Sequence, residues 1–232
     1  MELEQLILRL NEIADISNQE WLKGLNDRKH KELEFHNRDR DRQVVETLDQ
    51  DTFDKFYSNK KFYSTVQKST DYHQGWIAKN CKDKIFLDYA CGNGGNAIAA
   101  AIAGAKLAIG FDISDVSVKN AQKDAEAQGL ENVYFFQADA ENTKLPDSCV
   151  DVIICSGMLH HLDLSYAFPE LRRILAPSGK LLAIEALDYN PFIKLYRKLT
   201  PDMRTEWEKA HILSMKDIEF GKRFFDIGEI KH

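Results

Sequence analysis

The chain has 232 residues, 44% hydrophobic and 29% charged, which suits one α/β domain with a helical elaboration and a core of useful size. Its 31 basic and 37 acidic residues leave a net charge of −6, which argues against broad nucleic-acid binding, because that calls for a basic face. No apolar run approaches the roughly twenty residues of a membrane span, and the acidic, polar N-terminus does not read as a signal peptide.

Residues 1–80 read as an N-terminal helical cap. Leu3, Leu6, Ile7, Leu10 and Ile13 recur at helical spacing, and Ser17 with Glu20 forms a capping box for a second helix. The charge-dense run 26–42 continues as a solvated helix, with Phe35 and His36 as its inward residues. Phe53, Phe56, Tyr57, Phe62, Tyr63 and Tyr72 then crowd ahead of the core, placed to roof a ligand pocket. Cys81, Cys91, Cys149 and Cys155 lack the paired spacing of a zinc site, so they read as free thiols of a cytoplasmic protein, and no metal ligand is assigned.

Residues 81–186 carry the chemistry. Over 85–96 an apolar run ends in Asp88 and breaks into closely spaced glycines, a buried strand that delivers a carboxylate to a tight, ligand-hugging turn. The small residues 97–104 follow as a helix whose free N-terminal amides point back at that turn. Two ligand classes use such a unit. From Gly92, the run Gly92-Asn-Gly94-Gly-Asn-Ala97 satisfies a dinucleotide fingerprint, with Asp112 eighteen positions after Gly94 (112 − 94) as the ribose acid. Asp88 tilts the choice the other way, because a carboxylate beside the turn repels a pyrophosphate and welcomes a cation.

Further strands alternate with helices, which implies a parallel sheet with right-handed crossovers. The run 106–112 ends in Asp112 followed by Ile113. A helix over 116–128 is capped by Ser114 and Asp115 and stopped by Gly129. The run 132–140 carries Asp139 and Ala140 past its end, 150–156 closes on Cys155 and Ser156, and 180–185 ends in Glu185. Acids close four of five expected strands, although any one of them alone is equally a helix cap or turn former.

With Asp88-Tyr-Ala90-Cys-Gly92-Asn-Gly94 in place of the acid and G-x-G-x-G loop, this region resembles the class I S-adenosylmethionine-dependent methyltransferases of small molecules, of the type 11-like kind. The resemblance implies a Rossmann-like, mostly parallel, doubly wound sheet. It also implies that Asp88, Ala90, Gly92, Gly94, Asp112, Ile113, Asp139, Ala140, Cys155 and Ser156 bind S-adenosyl-L-methionine and its product S-adenosyl-L-homocysteine. In the family the acid after the second strand bridges the ribose hydroxyls, and the one after the third accepts from the adenine amine. Ala90 departs from the family's first glycine, and alanine there asks for an ordinary backbone conformation.

Methyl transfer from a sulfonium is an in-line displacement, in which positioning carries much of the barrier reduction. His160 and His161 follow the fourth strand and are the candidate bases, one of which is expected to face the acceptor; Glu185 is placed to orient an amine or hydroxyl. Arg197 and Arg204 either hold an acceptor carboxylate or phosphate, or tie helices together. The acceptor is expected to be a small molecule or peptide, without nucleic acid or membrane. A nicotinamide-dependent oxidoreductase and a non-catalytic scaffold are the alternatives. Residues 187–232 offer two helix-like segments and one candidate edge strand over 222–230, where the family has two antiparallel strands; a cut from a longer chain, or a partner such as a second copy, accounts for the shortfall.

Replacing Asp112 with alanine is expected to cost roughly 1–3 kcal/mol of S-adenosylhomocysteine affinity in calorimetry, through lost charge-assisted hydrogen bonds. Unchanged affinity would contradict the ribose assignment.

Overall fold

The computed structural model describes residues 2–50, 52, 53, 67–200 and 203–231. Five parallel strands form one sheet: β1 (Ile85–Tyr89), β2 (Leu107–Asp112), β3 (Val133–Gln137), β4 (Val150–Ser156) and β5 (Leu175–Ile184). Their order is β3-β2-β1-β4-β5. The chain therefore builds outward from β1 to β3, then crosses back to lay β4 on the other side of β1. The carboxyl ends of β1 and β4 become the switch point at which such sheets bind ligands.

The described helices are, in chain order, α1 (Leu3–Ala14), α2 (Asn18–Lys23), α3 (Asp27–Arg40), α4 (Arg42–Glu46), α5 (Gln67–Asn80), α6 (Gly95–Ile102), α7 (Asp115–Ala127), α8 (Leu164–Ile174), α9 (Pro191–Leu199), α10 (Glu206–Ala210) and α11 (Met215–Gly221). Because strand side chains alternate between faces, β1 feeds two cores. Phe86 packs with Ala108, Val152, Ile154 and the small inner residues of α6 and α7. Leu87 and Tyr89 pack with Ile109, Phe111, Ile153 and Leu171. Leu6, Leu10 and Ile13 of α1 are wholly buried in this second core, so the first helix is part of the domain's interior. Among the described residues, no helix is long and apolar enough to cross a membrane.

Two sequence expectations change. Residues 222–230 form no strand. Phe224 and Phe225 are adjacent, yet both rings lie about 6 Å from Phe168 on α8 (6.1 and 6.0 Å), with Phe220 at 5.7 Å. A strand would send neighbouring side chains to opposite faces, so gathering them on one aromatic ring favours a turn. Of the aromatics expected to roof a pocket, Phe56, Tyr57, Phe62 and Tyr63 lie outside the described residues. Tyr72 instead faces the Lys231 ammonium, 4.3 Å from its ring centre.

One aromatic ring sets how closely the loop after β1 sits on the sheet. A Cβ on Gly110 of β2 would stand 2.5 Å from Phe135 Cε1, and one on Gly94 would stand 2.6 Å from the same atom. Phe135 fills the space that two side chains would take, which lets the loop and α6 pack flat against β2 and β3. Gly110→Ala is therefore expected to lower unfolding free energy by about 1–3 kcal/mol in urea titration. Gly75→Ala, mid-helix with nothing within 4 Å of the added carbon, should raise it by about 1 kcal/mol.

Candidate functional site

The turn between β1 and α6 is built from left-handed backbone. Ala90, Gly92 and Gly94 have φ of 53°, 52° and 77°. The ordinary conformation expected of Ala90 is thus not what it adopts: an alanine sits where the chain needs a left-handed residue, at a cost of roughly 1–2 kcal/mol. The surroundings hold it there. Cys91 N–H donates to Phe111 O at 2.7 Å, and Gly92 N–H donates to Asp112 Oδ2 at 2.8 Å, tying the middle of the turn to β2.

Three carboxylates converge beside this turn. Asp88 accepts from Ala97 N–H at 3.2 Å and from Asn96 Nδ2 at 3.3 Å. Asp112 accepts from Gly92 N–H and, through Oδ1, from Ser114 N–H at 2.9 Å. Asp139 accepts from Glu141 N–H at 2.9 Å and from Lys29 Nζ at 2.5 Å. Each carboxylate has about four lone-pair sites, so each keeps accepting capacity after its own loop is satisfied. They line a cavity of about 360 Å³ together with Ala90, Gly92, Ile113, Ala140 and Ser156. Gly94 and Cys155, also expected at the ligand, are not on its wall: Gly94 turns toward Phe135, and Cys155 is fully buried in the sheet.

Burial dominates the electrostatics. It pushes the Asp88 carboxyl up to about 7, against the opposing hydrogen bonds from Asn96 and Ala97. Asp112 is also raised by burial, with its backbone partners and Arg40 pulling the other way. Burial lifts the Cys91 thiol well above its usual range, with Asp88 and Asp112 adding to the effect, so Cys91 is a packing group and no nucleophile.

The charged helix α3 lies over this cavity instead of facing solvent. Arg28, Glu32, His36 and Arg40, spaced by four residues, form one stripe along it, and all four line the cavity with Lys29. The acids of the sheet edge select that stripe. Lys29 bridges Asp139 and Glu141, the latter at 2.9 Å; Arg28 pairs with Glu141 and donates to His161 O at 2.8 Å. Asn37 is joined to Ser114 and Asp115. Ser117 Oγ, buried on the cavity wall, has no hydrogen-bond partner among the described residues, and a bound ligand with a polar edge would supply one.

After β4 the chain makes a short 3₁₀ turn, Leu159–His161, which sends the adjacent histidines to different neighbours. His161 lines the cavity, with Nδ1 2.9 Å from Glu32 Oε2, whereas His160 stands behind it with Nδ1 2.8 Å from Glu185 Oε2. Glu185 is off the cavity wall. Its Oε1 accepts from the Met158 and Leu159 amides at 2.8 and 2.7 Å, so its expected place beside an acceptor is taken by the job of holding His160. Burial pulls His160 down, but Glu185 and Glu208 outweigh it and hold the imidazole up to about 9. His36 is driven down to about 3 by burial and by His161. Glu32 and Glu208, buried at 4% and 5% exposure, escaped sequence reasoning. Thr205-x-x-Glu208 is a capping box, and that signal marks a helix start without revealing a partner. Arg197 donates to Glu208 O and so ties α9 to α10, whereas Arg204 donates to Thr200 O at 2.5 Å and closes the chain just past the end of α9.

A family model described as a methyltransferase domain matches residues 86–179, the span from β1 into β5. Residues 86–179 are thus similar to a class I methyltransferase domain. Over 114 residues it is 34% identical to 27-O-demethylrifamycin SV methyltransferase of Amycolatopsis mediterranei, covering 48% of this chain and 42% of the relative. Over 105 residues it is 37% identical to demethylmenaquinone methyltransferase of Thermus thermophilus, covering 44% and 47%. The crystal structure of the YcgJ protein from Bacillus subtilis aligns at 26% identity with a TM-score of 0.55, over 65% of this chain and 66% of that one. The chain spans less than half the length of the curated relatives it matches. The matched span includes Asp88, Asp112, Asp139 and both histidines, while α3, Glu185 and Glu208 lie outside it.

Because burial raises Asp88, a cationic ligand that pairs with it should displace its proton. Binding of S-adenosylhomocysteine, whose ammonium is such a cation, is expected to release a proton near pH 7 and to tighten as pH rises through that value. Calorimetry in buffers of different ionisation enthalpy measures both. Above that pH the unpaired carboxylate opposes folding, so Asp88→Asn should raise the melting temperature of the free protein at about pH 8 and abolish the proton release.

Proposed function

We propose that the domain transfers a methyl group from S-adenosyl-L-methionine to an oxygen or nitrogen of a small metabolite or peptide. The convergence of Asp88, Asp112 and Asp139 on one glycine-lined cavity carries this reading, since a donor bearing a sulfonium and an ammonium suits an acidic, partly dehydrated site. The donor set fits the group, and the unpartnered Ser117 hydroxyl is consistent with a polar ligand. S-adenosylmethionine supplies the electrophilic methyl carbon. Asp112 receives the ribose hydroxyls, Asp139 the adenine amine, and Asp88 with the turn at Ala90 and Gly92 the methionine end.

The acceptor approaches from the side of His160, His161 and Glu32. Of these, His161 and Glu32 line the cavity and orient its oxygen or nitrogen toward the methyl carbon, and His161 takes up its proton when it starts as a hydroxyl or ammonium, while His160 supports it from behind. Glu185 acts through His160 as a positioning residue. Helix α3 serves as lid, with Lys29 and Arg28 closing it onto Asp139 and Glu141. The two curated relatives above are named for 27-O-demethylrifamycin SV and for demethylmenaquinone, which supports an organic small-molecule acceptor. Free thiols at Cys81, Cys91, Cys149 and Cys155 support a cytoplasmic setting.

Calorimetry with S-adenosylhomocysteine should show one site per chain that Asp112→Ala weakens, with no response to NAD⁺ or NADP⁺. Incubation of the chain and donor with phenols, acids, amines, peptides and a protein acceptor should give a product one methyl heavier, read by mass spectrometry. Tight nicotinamide binding without donor binding overturns the proposal in favour of an oxidoreductase.

A further inference from the structure

The histidine pair and Glu208 form an arrangement that methyl transfer does not by itself require. His160 and His161 are neighbours in the chain, and their rings lie 4.3 Å apart at 33°. Each Nδ1 is held by its own carboxylate, Glu185 for His160 at 2.8 Å and Glu32 for His161 at 2.9 Å. Those carboxylates are themselves fixed, Glu185 by two backbone amides and Glu32 by the Thr205 hydroxyl at 2.5 Å. With Nδ1–H committed on both rings, Nε2 carries the free lone pair in the neutral form.

Both Nε2 atoms point at one oxygen. Glu208 Oε1 lies 3.5 Å from His160 Nε2 and 3.7 Å from His161 Nε2. These separations are too long for good hydrogen bonds, but they match the ligand-to-ligand edge of a tetrahedral centre, about 3.4 Å for bonds of roughly 2.0–2.2 Å. The other oxygen of Glu208 is anchored by Thr205 N–H at 2.9 Å, which leaves Oε1 free to ligate. Carboxylates behind both imidazoles are the outer support that metal-bound histidines usually have. A second group, Glu32 with His36 and His161, shares His161, but there Glu32 sits at hydrogen-bond distance from Nδ1 and acts as that outer support.

We propose that His160 Nε2, His161 Nε2 and Glu208 Oε1 bind a divalent transition-metal ion, leaving a coordination position open toward the cavity that His161 lines. Two imidazoles and one carboxylate suit Zn²⁺, Mn²⁺ or Fe²⁺ better than Mg²⁺ or Ca²⁺, which prefer all-oxygen sites. Binding forms two metal–nitrogen bonds and one metal–oxygen bond and releases to solvent any proton on His160. The role of the ion rests on the methyl-transfer reading: with both histidines engaged as ligands instead of bases, its open position takes an acceptor oxygen and lowers that oxygen's pKa, so the proton leaves to solvent and the acceptor is an alcohol, phenol or carboxylate in place of an amine. Cation binding itself does not depend on that reading.

The test uses the full chain, stripped with chelator and titrated without donor. One Zn²⁺ per chain is expected in competition with a chromophoric chelator, and Co²⁺ should give the visible ligand-field bands of a nitrogen-bound ion. His160→Ala and Glu208→Gln should each weaken Zn²⁺ at least tenfold, while His73→Ala, on α5, should not. Glu185→Gln touches no metal but offers His160 a donor amide, which favours the wrong tautomer, and should weaken Zn²⁺ about 10–100-fold. Circular dichroism and S-adenosylhomocysteine affinity check that each variant is folded. Zinc-edge X-ray absorption of the unaltered protein needs no variant, and two imidazoles with light-atom ligands are expected. No stoichiometric uptake, a sulfur shell from the free cysteines, or Zn²⁺ affinity indifferent to Glu208→Gln overturns the site, and donor binding measured separately without the ion shows whether the methyl-transfer reading stands.

Discussion

The carboxylate of Asp112 holds the active end of this domain together. It leaves the sheet at the tip of β2 and takes one backbone N–H from the turn after β1 and another from the start of α7. Those two bonds fix the left-handed turn over the sheet edge, and the Phe135 ring, seated where glycines 94 and 110 lack side chains, sets the depth at which the turn rests. The ring presses the turn onto the sheet and the acid ties it there. Without both contacts Ala90 would have little reason to keep a backbone conformation that alanine resists.

Collecting acids at one edge has a cost that the fold meets by recruiting bases from elsewhere. Asp88 and Asp112 are raised by burial, and Asp139 and Glu141 are paired with Lys29 and Arg28. Helix α3 has few apolar side chains, and hydrophobic burial alone would not dock it. Its position over the cavity is electrostatic, with one stripe of ionisable residues matched to the charge of the sheet edge. The same helix supplies Glu32 and His36, so the surface that covers the aspartates of the cavity also completes the histidine cluster beside it.

That cluster joins segments far apart in the chain. Glu32 comes from α3, His160 and His161 from the turn after β4, Glu185 from the end of β5, and Glu208 from α10. Each histidine has one nitrogen fixed by a carboxylate and the other turned toward Glu208. A site assembled in this way is rigid, because every carboxylate that holds an imidazole is itself held by a backbone amide or a hydroxyl.

The sheet, the turn and the acids are legible in the chain, because those are written locally. An apolar run of strand length, an acid at its end and small residues beyond it are constraints that act between neighbours in the chain, and β1 to β5 and α6 to α8 follow from them. Long-range packing settles which of His160 and His161 meets the cavity, that Glu185 turns back to hold one of them, that Ala90 is left-handed, and that Phe224 and Phe225 gather on Phe168 without a strand forming over 222–230. The run 26–42 reads as a solvated helix, because its charge density alone does not say whether a charged face meets water or an acidic sheet edge. Those outcomes depend on partners distant in the chain, 25 residues for His160 with Glu185 and 129 for His161 with Glu32, and no short-range pattern encodes a partner that far away.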